Sequence, residues 1–445
     1  MTNSTAPSTG TGVSRRNFLK TSTATAVGTA IATSLAAPAV HAAGSDLLRV
    51  GLIGCGRRGE GGGRGRGAAE NCVHAGPNVQ LYAMADLFPD HLEYSRKFLK
   101  DRLGDKVNVS DDRCFSGFNA YKDLIALKDI DIVILTSPPG FRPLHLQAAV
   151  EAGKHIFCEK PVAVDGPGVR SVLKTIEEAR RKNVSLVSGL CWRYDFGMQE
   201  TFKRIHDGLV GDIVALQCTY NTGPLWVAPR QSGWSDMEWQ CRNWLYFAWL
   251  SGDFNVEQHI HSLDKMAWAM KDEYPVKAVG LGGRQQRTGP EYGHIFDHHS
   301  VVYEYANGVK VFSNCRQQKN CANDVTDHVF GTKATVDVMK YALKSHHGKP
   351  IWKYRPADNV KDDGMYQNEH NELIASIRSG KPINNGDYMT KSSLMAIMGR
   401  MATYTGQVIT WDMALNSKED LSPPKYDWIS LATPAVAKPG VTRFV

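Results

Sequence analysis

Gly54-Cys55-Gly56-Arg57-Arg58-Gly59 is a glycine-rich turn that follows a short apolar run, and its chemistry is the capture of phosphate. Gly54 would permit the tight turn, Gly56 would let backbone N–H groups approach a pyrophosphate, and Gly59 would let strand and helix pack closely. Asp86 ends the next apolar run, where a carboxylate can accept hydrogen bonds from a ribose 2′-hydroxyl and would repel a 2′-phosphate. The pattern calls for NAD, with NADP left open by the positive charge of Arg57 and Arg58. Asp86 lies 27 residues after Gly59, where about 20 is usual. The insert Glu60-Gly61-Gly62-Gly63-Arg64-Gly65-Arg66-Gly67 accounts for the excess, because it is too rich in glycine for ordinary helix. The same glycines would also serve a plain turn in an α/β domain that holds no nucleotide.

Later in the chain, Glu257, His261 and Asp264 fall within a narrow arc at 3.6 residues per turn, so a helix would present them on one face. A histidine there can act as a general base, since its ordinary pKa lies near neutrality. His259 points to another side of such a helix, and the spacing of His294, His298 and His299 matches no metal signature, so no metal is expected. Trp226, Trp234, Trp239, Trp244 and Trp249 crowd one connection, with Arg230, Arg242 and Asn243 among them. Indole faces stack on the C–H faces of sugar rings, and the polar groups can bond hydroxyls or carboxylates. Core or interface packing would also explain the cluster.

Periodicity supplies the elements that must hold these groups. Apolar runs at 47–54, 79–85, 130–135, 155–158 and 184–188 alternate with helical spacing at 90–103, 143–152 and 168–182, which predicts a doubly wound parallel sheet. Beyond residue 190, strand runs at 213–220, 276–281, 300–305 and 309–314 follow one another with turns such as Asn307-Gly308. A largely antiparallel sheet is expected, interrupted by one helix at 255–270. Helical stretches at 369–378 and 390–403 are expected to pack back across the junction, and the tail after Trp411 to run as an extended strap. The fold class is therefore α/β plus α+β. The expected organisation is a signal at 1–42, a nucleotide domain at 46–189, a substrate and oligomerisation domain at 190–365, junction helices at 366–410 and a strap at 411–445.

Cys158-Glu159-Lys160-Pro161 after the 155–158 run, the loop Thr136-Ser137-Pro138-Pro139, and the Glu257, His261, Asp264 pattern together resemble the Gfo/Idh/MocA oxidoreductases over residues 47–410. The resemblance implies a Rossmann domain joined to an open-faced sheet, with the active site between them and sugars, inositols or related polyols as substrates. It sets Lys160 beside the nicotinamide, where a cationic amine donating to the reacting oxygen stabilises alkoxide character. His261 would take the substrate hydroxyl proton, with Glu257 where the family usually has Asp. Ser137, Pro138, His145 and Glu159 would join the glycines, Arg57, Arg58 and Asp86 around the cofactor. Trp192, Arg193, Arg242, Trp244 and Asp264 would face the substrate.

The chain of 445 residues is 42% hydrophobic and 22% charged, which disfavours disorder and membrane spanning and suits two domains of ordinary size. Ser14-Arg15-Arg16-Asn17-Phe18-Leu19-Lys20, a weakly apolar stretch and Val40-His41-Ala42 read as a cleavable twin-arginine export signal. Three of the 52 basic residues and none of the 45 acidic ones precede residue 43, leaving an excess of four. Export would put the protein in the periplasm or beyond, with no abundant soluble nicotinamide pool, so a tightly held cofactor is expected. Nine scattered cysteines form no disulfide framework, and no nucleic-acid module is recognisable. The expected protein is an exported NAD(P)-dependent sugar oxidoreductase, a homodimer or homotetramer without stable membrane insertion, whose partners are its substrate and the twin-arginine machinery. The alternatives are a redox-neutral NAD-dependent glycoside hydrolase and a non-catalytic, cofactor-stabilised binding protein.

Overall fold

Residues 46–56, 63–357 and 361–445 are described by a computed structural model; the expected export signal and Arg57, Arg58 and Gly59 lie outside the described residues. The first sheet comprises β1 (Leu48–Ile53), β2 (Val79–Asp86), β3 (Cys114–Ser116), β4 (Ile132–Leu135), β5 (His155–Cys158) and β6 (Leu186–Ser188), in the order β3-β2-β1-β4-β5-β6. All of its pairs are parallel. The helices α1 (Arg64–His74), α2 (Pro89–Leu103), α3 (Ala120–Ala126), α4 (Arg142–Glu151) and α5 (Gly166–Arg181) alternate with the strands.

Both faces of this sheet are covered, which explains the continuous apolar runs. In β4, Ile132 and Ile134 enter a core with α1 and α2, whereas Val133 and Leu135 enter another with α3, α4 and α5. The short β3 carries no apolar run and was not among the expected strands. Its three residues are not fully buried, so only pairing with β2 at the sheet edge marks it as a strand.

After α6 (Phe196–His206) the chain builds a second sheet from β7 (Ile213–Thr222), β8 (Lys277–Gly283), β9 (His298–Glu304), β10 (Lys310–Gln317), β11 (Asp324–Gly331), β12 (Thr335–Asp337), β13 (Ala342–Lys344), β14 (Pro350–Lys353) and β15 (Ile409–Thr410). The order is β14-β13-β12-β11-β7-β10-β9-β8-β15. All neighbours are antiparallel except β10 and β7, which run parallel. Side chains on the covered face join one core with the helices, while Val214, Val279, Leu281 and Phe312 are exposed.

Between β7 and β8 lie α7 (Asp236–Arg242), α8 (Ala248–Ser251), α9 (Phe254–Glu257) and α10 (Ile260–Ala269). The single helix expected over 255–270 is therefore two. At the break the backbone N–H groups of Gln258 and His259 both donate to Phe254 O, so the ladder slips by one residue. The buried His259 imidazole, 2.7 Å from Ser313 Oγ on β10, pins that slip in place. The junction helices are α11 (Met365–Arg378) and α12 (Gly386–Thr405). The tail is not extended from its start: α13 (Trp411–Asn416) comes first, with Thr410 Oγ1 accepting from Met413 N as its cap. The remainder runs without regular structure and sets Trp428 against Phe118, with ring centroids 4.8 Å apart.

All nine cysteines are free, seven of them buried. No helix among the described residues is long and apolar enough to cross a membrane.

Candidate active site

A cleft of about 380 Å³ opens at the carboxyl ends of the first sheet's strands, the position at which doubly wound sheets bind ligands. Gly54 leaves β1 with φ +93°, and a Cβ there would sit 2.4 Å from Ser137 N. Only glycine makes that turn. The helix that follows starts at Arg64, so Arg64-Gly65-Arg66-Gly67, expected to be too rich in glycine for ordinary helix, form its first turn. A Cβ on Gly65 would meet Gly54 O at 2.1 Å, so Gly65 makes the close strand–helix approach that the spacing assigned to Gly59. With Gly65 in that place the spacing anomaly disappears. Asp86 lies 21 residues after Gly65, against the usual separation of about 20.

Asp86 closes β2 with its carboxylate in the cleft wall. Oδ2 accepts from Cys55 N at 2.7 Å and Oδ1 from Phe88 N at 2.9 Å. Burial raises its pKa to about 6 against those two bonds, so the carboxylate is mostly ionised at neutral pH. The glycine approach and this carboxylate one strand away fit a dinucleotide, with the phosphates at the β1–α1 turn and a ribose at Asp86.

Two strands along, Glu159 and Lys160 follow β5. Lys160 Nζ donates to Glu257 Oε1 at 3.0 Å and also to the Glu257 carbonyl oxygen. The strand-end lysine and the short helix α9 are thereby tied across the cleft. Glu159 Oε2 accepts from Lys160 N at 3.1 Å, and Oε1 pairs with Arg64, which also pairs with the buried Glu369 on α11. Glu159 thus braces the turn that carries Lys160. Gly189 leaves room for it, since a Cβ there would lie 2.6 Å from Glu159 Oε2.

His261 lines the same cleft, and neither ring nitrogen is hydrogen-bonded to another described residue. Burial pushes its pKa well below the ordinary value, helped by the charges of Lys160, Lys265 and Arg64. Burial thus favours the neutral imidazole, where its residue type alone implied a ring that titrates near neutrality. Nδ1 is enclosed without a partner, which leaves Nε2 as the nitrogen able to meet a ligand. On the cofactor side, Ser137 Oγ is 3.0 Å from His145 Nδ1, and Pro138 lies beside them in the wall. The His145 ring stacks on Tyr121, and burial with the Arg142 charge lowers its pKa to about 3.

The residues expected to face the substrate divide. Arg242 and Trp244 line the cleft together with Trp226. Arg242 bridges Asp90 and Glu238 and lies 3.9 Å from the Phe88 ring centroid, joining the two halves of the wall. Arg193, Asp264 and Trp192 are elsewhere. Asp264, on α10 with His261, is buried on the inner side of that helix, where its oxygens accept from Arg193 Nε and Nη2 at 2.9 and 2.8 Å. Arg193 is further held by Asp272 and Tyr388, and Trp192 packs on the core of the second sheet beside Lys265. Trp239 and Trp249 are buried with their N–H groups bonded to Ala228 O and Gln240 Oε1, so two of the five tryptophans serve packing.

Residues 48–189 match the oxidoreductase family Gfo/Idh/MocA, described as having an NAD-binding Rossmann fold. They are a Gfo/Idh/MocA domain. The chain is 28% identical over 219 residues to inositol 2-dehydrogenase 3 of Saccharopolyspora erythraea, covering 48% of this chain and 56% of that protein. It is 30% identical over 176 residues to glycosyl hydrolase family 109 protein 1 of Bacteroides fragilis, covering 39% of this chain and 35% of that protein. It therefore spans about half and about a third of these relatives. The fold is similar to that of aldose-aldose oxidoreductase from Caulobacter crescentus, with TM-score 0.63 and 20% identity over 82% of this chain and 99% of that one.

Within the Gfo/Idh/MocA domain, the sequence reading assigned Arg142 no role, and beyond it none to Tyr366 and Glu369; Arg64 was expected beside the pyrophosphate site and instead pairs with Glu159 and Glu369. Arg64 was read as part of a glycine-rich insert. An arginine inside the apolar loop Pro138-Pro139-Gly140-Phe141-Arg142 was the available signal for Arg142. Glu369 left no signal, because its partner Arg64 lies 305 residues away in the chain.

Proposed function

We propose that the protein is an exported NAD(P)-dependent oxidoreductase that moves a hydride between a retained nicotinamide cofactor and a hydroxyl or carbonyl carbon of a sugar or sugar derivative. The observation that carries this reading is the Lys160, Glu257 and His261 cluster at one end of the cleft that begins at the glycine turn. The bound cofactor supplies the hydride acceptor. Lys160 Nζ donates to the substrate oxygen and stabilises its negative charge as the proton leaves. His261 Nε2 accepts that proton, and its depressed pKa keeps it unprotonated before the reaction. Glu257 holds the lysine amine in place. The Asp86 carboxylate favours a free ribose 2′-hydroxyl, hence NAD over NADP.

Retention of the cofactor and export are linked parts of the proposal, the latter supported by the run from Ser14 to Lys20. Native mass spectrometry of the purified exported protein, with released small molecules identified, tests both. About one NAD per chain is expected; a fully active protein that needs free NAD at millimolar levels would overturn retention. Arg15→Lys with Arg16→Lys is expected to leave the protein inside the cell.

A second reading is favoured by the 30% identity to a family 109 glycosyl hydrolase: a redox-neutral hydrolase acting by oxidation, elimination, hydration and re-reduction. It ranks second because Lys160 keeps the Glu-Lys-Pro turn, from which that branch departs. Nitrophenyl glycosides discriminate the two. Aglycone release without net NADH change supports the hydrolase, and an oxidised sugar product supports the dehydrogenase.

A further inference from the structure

Among the described residues four cations line the cleft: Arg64, Arg142, Lys160 and Arg242. Three are neutralised, Arg64 by Glu159 and Glu369, Lys160 by Glu257, and Arg242 by Asp90 and Glu238. Arg142 has no carboxylate partner among the described residues. The residue is 5% exposed, Nη1 donates to the Pro161 carbonyl oxygen and Nε is enclosed, which leaves Nη2, without a hydrogen-bond partner among the described residues, as the donor able to meet a ligand in the cleft. A buried guanidinium with one neutral acceptor is costly unless a ligand completes it.

Strand order says which part of a ligand would do so. Arg142 opens α4 after β4 and bonds the segment after β5, whereas Asp86 ends β2 on the other side of β1. Dinucleotide phosphates belong at the β1–α1 turn between them, so Arg142 lies on the nicotinamide side, the end that holds Lys160 and His261. The oxidised nicotinamide ring is itself cationic. An anion at Arg142 must therefore come with the substrate. One unpaired positive charge, with Glu159 and Glu257 nearby, matches a monoanion better than a phosphate dianion, and the planar guanidinium fork suits a carboxylate.

We infer that Arg142 is a substrate-binding residue that selects sugars bearing a carboxylate, uronates or aldonates, over neutral sugars. This rests on the proposed oxidoreductase site. The test is calorimetric titration of the NAD-loaded protein with D-glucuronate, D-galacturonate and D-gluconate against D-glucose, D-galactose, D-sorbitol and a sugar monophosphate. NADH formation is followed in parallel. At least one acid is expected to bind about tenfold or more tightly than its neutral counterpart, the scale of one charge-assisted hydrogen bond. Arg142→Gln should erase that ratio without changing NAD affinity, and Arg142→Lys should keep part of it. Equal binding of acids and neutral sugars by the unaltered protein would overturn the inference, even if Arg142→Gln failed to fold. So would preference for the sugar monophosphate, or a tenfold loss of NAD affinity in Arg142→Gln with the acid preference intact. Acid-selective binding without NADH formation from any sugar would retain the Arg142 site and overturn the dehydrogenase reading instead.

Discussion

The two sides of the cleft are built by different rules. On the first-sheet side, Gly54, Asp86, Thr136, Ser137, Glu159, Lys160 and Gly189 each lie within two residues of the carboxyl end of a strand. On the other side, Trp226, Arg242, Trp244, Glu257 and His261 come from a connection and a broken helix, and none is on a strand. A parallel sheet aims all its strand ends at one edge, so a short local motif suffices to place a side chain there. The connection has no such frame. Its groups are positioned by contacts with distant parts of the chain, such as Arg242 with Asp90 and the His259 imidazole with Ser313.

Acid is the harshest probe of whether these two sides are one cooperative body. His145, His155 and His370 on the first-sheet side and His259, His261 and His294 on the other are buried with pKa values lowered chiefly by desolvation. Each native value lies below the unfolded one, near 6.5, so the unfolded chain binds more protons below that pH. Their contribution is full above about pH 6.5 and is lost as pH falls toward native values of about 3 for His145 and about 4 for His294. Asp86, raised to about 6, opposes this in part. A fall in Tm between pH 7 and pH 4 is expected as one transition in circular dichroism and tryptophan fluorescence. Two separated transitions would break the comparison into two independent bodies.

Next in size, Lys160→Met should lower kcat by about 10²- to 10⁴-fold, the range for loss of a positioned proton donor, with NAD affinity nearly unchanged by titration. An equal loss of NAD affinity would move Lys160 from the chemistry to cofactor binding. Arg193→Ala should cost about 3–5 kcal/mol in urea unfolding, because it leaves the buried Asp264 uncompensated, while KM for sugar holds. A tenfold rise in KM with stability intact would return Arg193 to the substrate wall. Smallest, Gly65→Ala should cost about 1–3 kcal/mol of stability through overpacking and weaken NAD binding, whereas Gly67→Ala, whose Cβ would meet nothing closer than 3.9 Å, should do neither.

Legibility in the sequence followed the same division. The runs at 130–135 and 155–158 marked their strands because burial on both faces demands continuous apolar residues. Gly54, Asp86 and Lys160 could be read because each belongs to a short motif beside such a run. Gly65 was not read as a packing glycine, because the residues around it looked too rich in glycine for helix, and only its approach to Gly54 O in the folded chain reveals the role. Asp264 was placed in the cleft by helical spacing, but spacing does not show that Arg193, 71 residues earlier, takes up its carboxylate inside the fold.

Residue order alone determined that this chain would form a parallel sheet ending in a glycine turn, a carboxylate and a lysine, since these depend on continuous apolar runs buried on both faces and on turns a few residues long. The tertiary structure decided which charges meet. That Arg64 joins Glu159 to Glu369, that Arg193 is neutralised by Asp264 and Asp272, and that Arg142 has no carboxylate partner among the described residues are outcomes of folding. Burial makes each pairing consequential, and burial is a property of the packed molecule rather than of any stretch of sequence.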